Sequence, residues 1–292
     1  MARQSKLIAL PAAAQHLILS LVPDFYDLGA LILTHRSFYD IFYENKQPLL
    51  ATVARNLLGS LFDEAILLAR AQERCYGLGD PKKNGFSSNR ILLLVNNDYI
   101  LRSLERVSFA LLKSDERFDT SEAESLVQFV KKPYTRQATL PESLRFLSSG
   151  YKFWRYALLS EKGRTPYLKK LRPSELFELN HFVDGISNLI YAMRGVAQES
   201  DHDLDFISGV LSTGPENILN LWDAKQRGAP EFEMELESAG CLSEEGFWTY
   251  PYMEATEELN KIDKIAKPWL EPILDGENEK MHKILVDDGI ET

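Results

Sequence analysis

The sequence predicts an all-α protein: an N-terminal unit of three short helices followed by a larger, irregular helical domain. Three observations predict it. Apolar residues recur at the three-and-four spacing of a helical face through most of the chain. Prolines and turn formers fall at the ends of those segments and seldom inside them. No β-hairpin signal and no internal repeat stands out against that pattern.

The first helix opens after Pro11, whose missing N–H costs nothing at a helix start. Ala14, Leu17, Ile18, Leu21 and Val22 share one face, and Pro23 ends the segment. Asp24 is placed to cap a second helix that buries Leu28, Leu31 and Ile32. A third carries Phe38, Ile41 and Phe42. Leu10, Leu19 and Leu33 lie off the main stripes, so a unit this small cannot bury them all, and they are expected to meet other surfaces.

Lys46 to Leu61 reads as a fourth helix and Phe62 to Cys75 as a fifth. Gly77 to Ser88 holds three glycines and a proline and is expected to be the main linker. That places an N-terminal unit at 1–60, a connecting helix and linker at 61–88, and a helical recruiting domain at 89–292. Within the last, helices are expected over 89–112, 121–131, 141–159, from 173 through Met193, 217–226 and 254–274. The strongest stripes are Leu144, Leu147, Tyr151, Trp154 and Leu158, and Leu176, Leu179, Val183, Ile186, Ile190 and Met193. Two such helices are expected to pack antiparallel. Residues 231–237 alternate acid with Phe232, Met234 and Leu236; glutamate is a poor strand former, so a helix or an exposed loop is expected.

At 292 residues, 45% hydrophobic and 26% charged, the chain has ample material for a core. The net charge of −10 is unevenly spread: residues 1–180 carry 25 Lys+Arg against 19 Asp+Glu, and residues 181–292 carry 8 against 24. The basic stretch from Lys131 to Arg172 interleaves Tyr134, Tyr151, Trp154, Tyr156 and Tyr167, a pattern shared with nucleic-acid binders. Tyr151 and Trp154 also belong to the core stripe, and the overall charge is negative, so the stretch is expected to meet the acidic C-terminal part of the same molecule instead. Two distant cysteines do not make a disulfide framework, and this favours a reducing cytoplasmic or nuclear setting. Pro11 interrupts the only signal-peptide-like run, and no apolar run approaches the ~20 residues a membrane span needs.

The ordered residues of the opening stretch resemble the F-box, and in particular its fungal variant. The resemblance rests on Leu10-Pro11, then Ile18-Leu19-Ser20-Leu21-Val22-Pro23, then Asp27-Leu28 with Leu31, then Leu33-Thr34, Arg36 and Phe38-Tyr39. Asn45-Lys46, Leu58-Gly59 and Asp63-Glu64-Ala65 look like the fungal continuation. Ala13, Ala14 and Gln15 depart from the pattern, at positions where an acid and leucines are usual. The resemblance covers about the first quarter of the chain. It implies a non-enzymatic adaptor that docks on a Skp-family subunit of a cullin ubiquitin ligase and recruits an unknown protein substrate. The contacts it implies are Leu10, Pro11, Ile18, Leu19, Val22 and Leu33. The other reading is a helical interaction protein whose F-box-like segment is part of its own core.

No enzyme motif accompanies these features. There is no Gly-x-Ser-x-Gly elbow, no phosphate-binding loop and no His-Glu-x-x-His helix. No catalytic residue, metal or cofactor is therefore expected. Asp201-His202-Asp203-Leu204-Asp205 alternates ligand-type residues, but Phe206 and Ser212 stand where a calcium loop needs Gly and Glu; the acidic start of a helix explains the cluster.

Overall fold

A computed structural model describes residues 7, 9–78, 85–112, 139–195, 201–242 and 247–262. The all-α class holds: among the described residues every regular element is a helix and none is a strand. The N-terminal helices are α1 (Ala12–Ser20), α2 (Phe25–Thr34), α3 (Arg36–Glu44) and α4 (Lys46–Leu58). A 3₁₀ turn, Gly59–Leu61, leads into α5 (Phe62–Cys75), and α6 (Ser88–Leu112) follows. The body continues with α7 (Leu140–Ala157), α8 (Glu161–Leu168), α9 (Pro173–Arg194), α10 (Asp201–Ser212), α11 (Pro215–Arg227), α12 (Phe232–Gly240) and α13 (Thr249–Ile262). The expected helices over 121–131 and 263–274 lie outside the described residues.

Local chemistry accounts for many of the boundaries. Asp24 caps α2, its carboxylate accepting from the Asp27 N–H at 2.8 Å. Pro141 and Glu142 open α7 as a capping box on Thr139. At the other end of α9, Gly195 adopts a left-handed conformation that a side chain would resist. The α9 terminus gains a second cap from Lys225, whose ammonium donates to the carbonyls of Ala192 and Met193, both at 2.6 Å. Burial holds the Lys225 pKa below its ordinary value. Residues 231–237 resolve into α12, with Phe232 and Leu236 turned inward and Met234 out.

Two apolar clusters organise the chain. The smaller gathers Leu19, Val22, Leu28, Phe38, Leu49, Leu50 and Val53 from α1 to α4. The larger begins at Ala54, within the same α4, and runs through α5 to Ala255 of α13. At its centre α7 is buried almost all round, with Tyr151, Phe153 and Tyr156 sealed from solvent, and it packs against α5, α6 and α9. The stripe expected for α7 therefore named only part of what it buries.

Residues 79–84 of the expected boundary in Gly77 to Ser88 lie outside the described residues. The helices on either side of it, α5 and α6, pack on one another inside the larger core. Two buried polar contacts join them. Gln72 and Asn97 exchange amide hydrogen bonds at 3.1 and 2.7 Å. Arg90 Nε lies 3.2 and 3.1 Å from the two carboxylate oxygens of Glu73, with both side chains 3% exposed. Just past the end of α5, Gly77 takes a positive φ of 64°, a conformation that a side chain would resist. The Gln47 carboxamide accepts from the Phe86 N–H at 2.6 Å and donates to its carbonyl, tying α4 to the approach of α6.

Helix α8 was not among the expected elements, because Pro166 and a mixed composition hide its period. Among the described residues the basic stretch finds acidic partners on α5 and α9. Arg155 and Lys152 of α7 pair with Glu64 of α5, and Lys152 also with Glu175 of α9. Tyr151, Trp154 and Tyr156 are interior residues, which removes them as stacking platforms for nucleic acid, and Tyr134 lies outside the described residues. From the acidic C-terminal part, Glu254 accepts from the Thr165 hydroxyl of α8 at 3.0 Å.

Candidate functional site

The candidate surface is the outer side of α1 to α3. Helices α1 and α2 each pack on α3 and α4, which fixes what they bury. On α1 the inward face is Gln15, Leu19 and Val22, positions three and four apart. Gln15 is 4% exposed, and its Nε2 donates to the Leu10 carbonyl at 3.0 Å. The amide closes the turn at the N-terminus of α1 and its stem lies in the interior. At the other end, Asn56 of α4 donates to the carbonyls of Ser20 and Val22, both at 2.8 Å, and so caps α1 from outside.

This orientation keeps Val22 of the expected stripe inside and turns two of its leucines out. Leu17 and Leu21, expected inside, are 57% and 71% exposed. Leu19, expected to lie off the core and meet a partner, is fully buried among the chain's own side chains. Val22 is likewise core. Ile18 is half-buried, Pro11 is exposed, and Leu10 and Leu33 are open at 37% and 83%. Of the six expected contacts, the accessible ones are thus Leu10, Pro11, Leu33 and in part Ile18. Leu17 and Leu21 join them as open leucines that spacing had assigned to the interior.

On α3, Tyr39 and Tyr43 point outward one turn apart, their rings stacked at 6.3 Å between centroids. Tyr26 of α2 is also open. Arg36 and Asp40 form an exposed i,i+4 pair at 3.7 Å, a contact worth little in water. The surface is apolar and aromatic, with few fixed charges. It has the composition of a protein-binding face. Leu17, Leu21 and the tyrosine pair were missed as candidates because both long faces of α1 are apolar, and period alone cannot say which one turns inward.

Elsewhere, the acidic cluster begins α10 at Asp201. Among the described residues no group of three or more His, Cys, Asp or Glu is placed to hold a metal ion, and no helix is long and apolar enough to cross a membrane. No protein-family model matches the chain, and neither does any curated protein or solved structure.

Proposed function

We propose that the chain is a substrate-recruiting adaptor of a cullin ubiquitin ligase, docking a Skp-family subunit on α1 to α3 and holding a target with the helical body. The observation that carries this reading is the set of open leucines, Leu10, Leu17, Leu21 and Leu33, on a unit whose own core is complete without them. Exposed apolar side chains gathered on so small a unit are the mark of a surface that another protein covers. The ordered F-box-like residues support a Skp-family subunit as that protein. The adaptor acts by effective concentration: a tethered target meets the ubiquitin-charged enzyme as an intramolecular neighbour.

The test is direct binding of the full chain to a purified Skp-family subunit. Each leucine that a partner buries contributes about 1.5–3 kcal/mol. Replacing Leu10, Pro11 and Leu33 together with alanine therefore lowers affinity by roughly a hundredfold or more, with the fold intact. Unchanged affinity in a folded triple variant overturns the proposal.

A second reading has one observation in its favour. Leu19 and Val22, both inside the F-box-like motif, serve the chain's own core, and α4 runs from the small cluster into the large one. On that reading the protein is an all-α interaction scaffold and the motif is structural. Co-purification separates the two: the ligase subunit is captured under the first reading and absent under the second.

A further inference from the structure

A cleft of about 450 Å³ opens on the body between α9, α10 and the segment from Trp248 into α13, away from the N-terminal surface. Its floor is apolar, with Val183 and Ile207 buried. Its walls carry three aromatic side chains, Tyr191, Trp248 and Tyr252. Trp248 and Tyr252 stack nearly parallel, 5.4 Å between centroids and 19° between planes. At the edge stands Asp184, and no lysine, arginine or histidine is among the described residues that line the cleft.

The polar groups are set in order. The indole N–H of Trp248 donates to Asn180 Oδ1 at 3.3 Å, and Asn180 Nδ2 donates to Asp184 Oδ2 at 3.1 Å. Asn180 thus has both ends engaged and holds the carboxylate in place. Among the described residues no lysine or arginine forms an ion pair with Asp184, and His181 lies one turn back on the same helix. Burial raises the Asp184 pKa, and the nearby His181 opposes that shift. The Asp184 carboxylate is exposed at the cleft, and among the described residues no lysine or arginine pairs with it, so a cation arriving from outside meets an open, oriented acceptor.

We infer that this cleft binds an arginine side chain of a partner polypeptide, the guanidinium pairing with Asp184 and its plane lying against the aromatic wall. The chemistry selects arginine. A flat guanidinium matches both a ring face and a carboxylate, and its methylene stem suits an apolar floor. An acidic side chain would meet Asp184 with like charge. A purely apolar one would cover the carboxylate and leave it unpaired. The inference stands on the cleft alone and does not require the ligase reading.

The test uses the full chain without any ligase subunit. The blocked tripeptides acetyl-Gly-Arg-Gly-amide, acetyl-Gly-Leu-Gly-amide and acetyl-Gly-Glu-Gly-amide are titrated while the Trp248 indole N–H resonance is followed by NMR, its assignment fixed by Trp248→Phe. The arginine peptide moves that resonance saturably and the other two do not. Asp184→Asn, close to isosteric, keeps the spectrum of a folded protein and weakens the arginine response about two- to fivefold, the loss expected for an exposed ion pair. An equal response to the leucine peptide, an unchanged response in Asp184→Asn, or no saturable shift with arginine each overturns the inference. Because the Skp-family subunit is absent, these outcomes leave the adaptor proposal to its own assay.

Discussion

Leucines 19 and 33 sit in the same small unit and offer a sharp contrast. Leu19 is fully buried beside Phe38, Leu49 and Val53, whereas Leu33 is 83% exposed. Leu19→Ala removes about three carbons from the interior, roughly 2.5 kcal/mol of transfer free energy at ~0.8 kcal/mol per methylene. The residual cavity adds more, for a total of about 3 kcal/mol or above. In Leu33→Ala only the covered sixth or so of the side chain counts, and the cost is below about 0.5 kcal/mol. Native-state hydrogen exchange reads both. A loss of about 3 kcal/mol raises the opening constant of α1 to α3 amides on the order of a hundredfold, whereas Leu33→Ala leaves them within about twofold. Binding to the Skp-family subunit runs the other way, with Leu33→Ala the variant that loses affinity while remaining folded. Similar exchange in the two variants would refute the inward face assigned to α1, and with it the list of open side chains on which the docking surface rests.

Two glycines respond to alanine with opposite sign. A Cβ on Gly209 would press on the Gly240 carbonyl and lie 2.9 Å from Ala239 O, both backbone atoms of α12, so Gly209→Ala forces α10 and α12 apart and costs about 1–3 kcal/mol. Gly185, inside α9, has open space at that position, and Gly185→Ala raises the melting temperature through a gain of about 0.5–1 kcal/mol. Glu175 supplies a pH signature. Burial raises its pKa, but hydrogen bonds from Arg172 and the charges of Lys152 and Arg172 outweigh that and leave it below the ordinary 4.5. Between the lowered value and 4.5 the unfolded chain binds more protons. The contribution of Glu175 is therefore complete above 4.5 and is lost as pH falls through the lowered value. Acid titrations of stability show Glu175→Gln losing this part of the pH dependence; an unchanged acid limb would count against the pairing.

The cores of α7 and α9 were readable in advance because their stripes run long and unbroken. Leu147, Tyr151 and Trp154, and Leu176 through Met193, all turn inward as their spacing requires. The Asp24 cap was equally legible, since an aspartate before a helical run satisfies an orphan N–H wherever the helix later packs. The motif that suggests a partner was likewise visible as an ordered string of residues.

Direction, in contrast, was decided only by assembly. On α1 the apolar residues spread over more than one face, with Leu17 and Leu21 turned out and Leu19 and Val22 turned in, and hydrophobicity does not rank them. What ranks them is the position of α3 and α4, together with Gln15 and Asn56, whose amides satisfy backbone carbonyls at the two ends of the helix. The buried Arg90–Glu73 pair joins α5 to α6 across Gly77 to Ser88, and no local pattern foretells it. The cleft draws on residues more than sixty positions apart, Asp184 on α9 and Tyr252 on α13, and no local pattern joins them. Periodicity is a property of one helix, so the sequence by itself determines that a helix forms and how wide its apolar stripe is. Which way the stripe faces, and which distant side chains meet across a gap, depends on the neighbours, and only the tertiary structure supplies them.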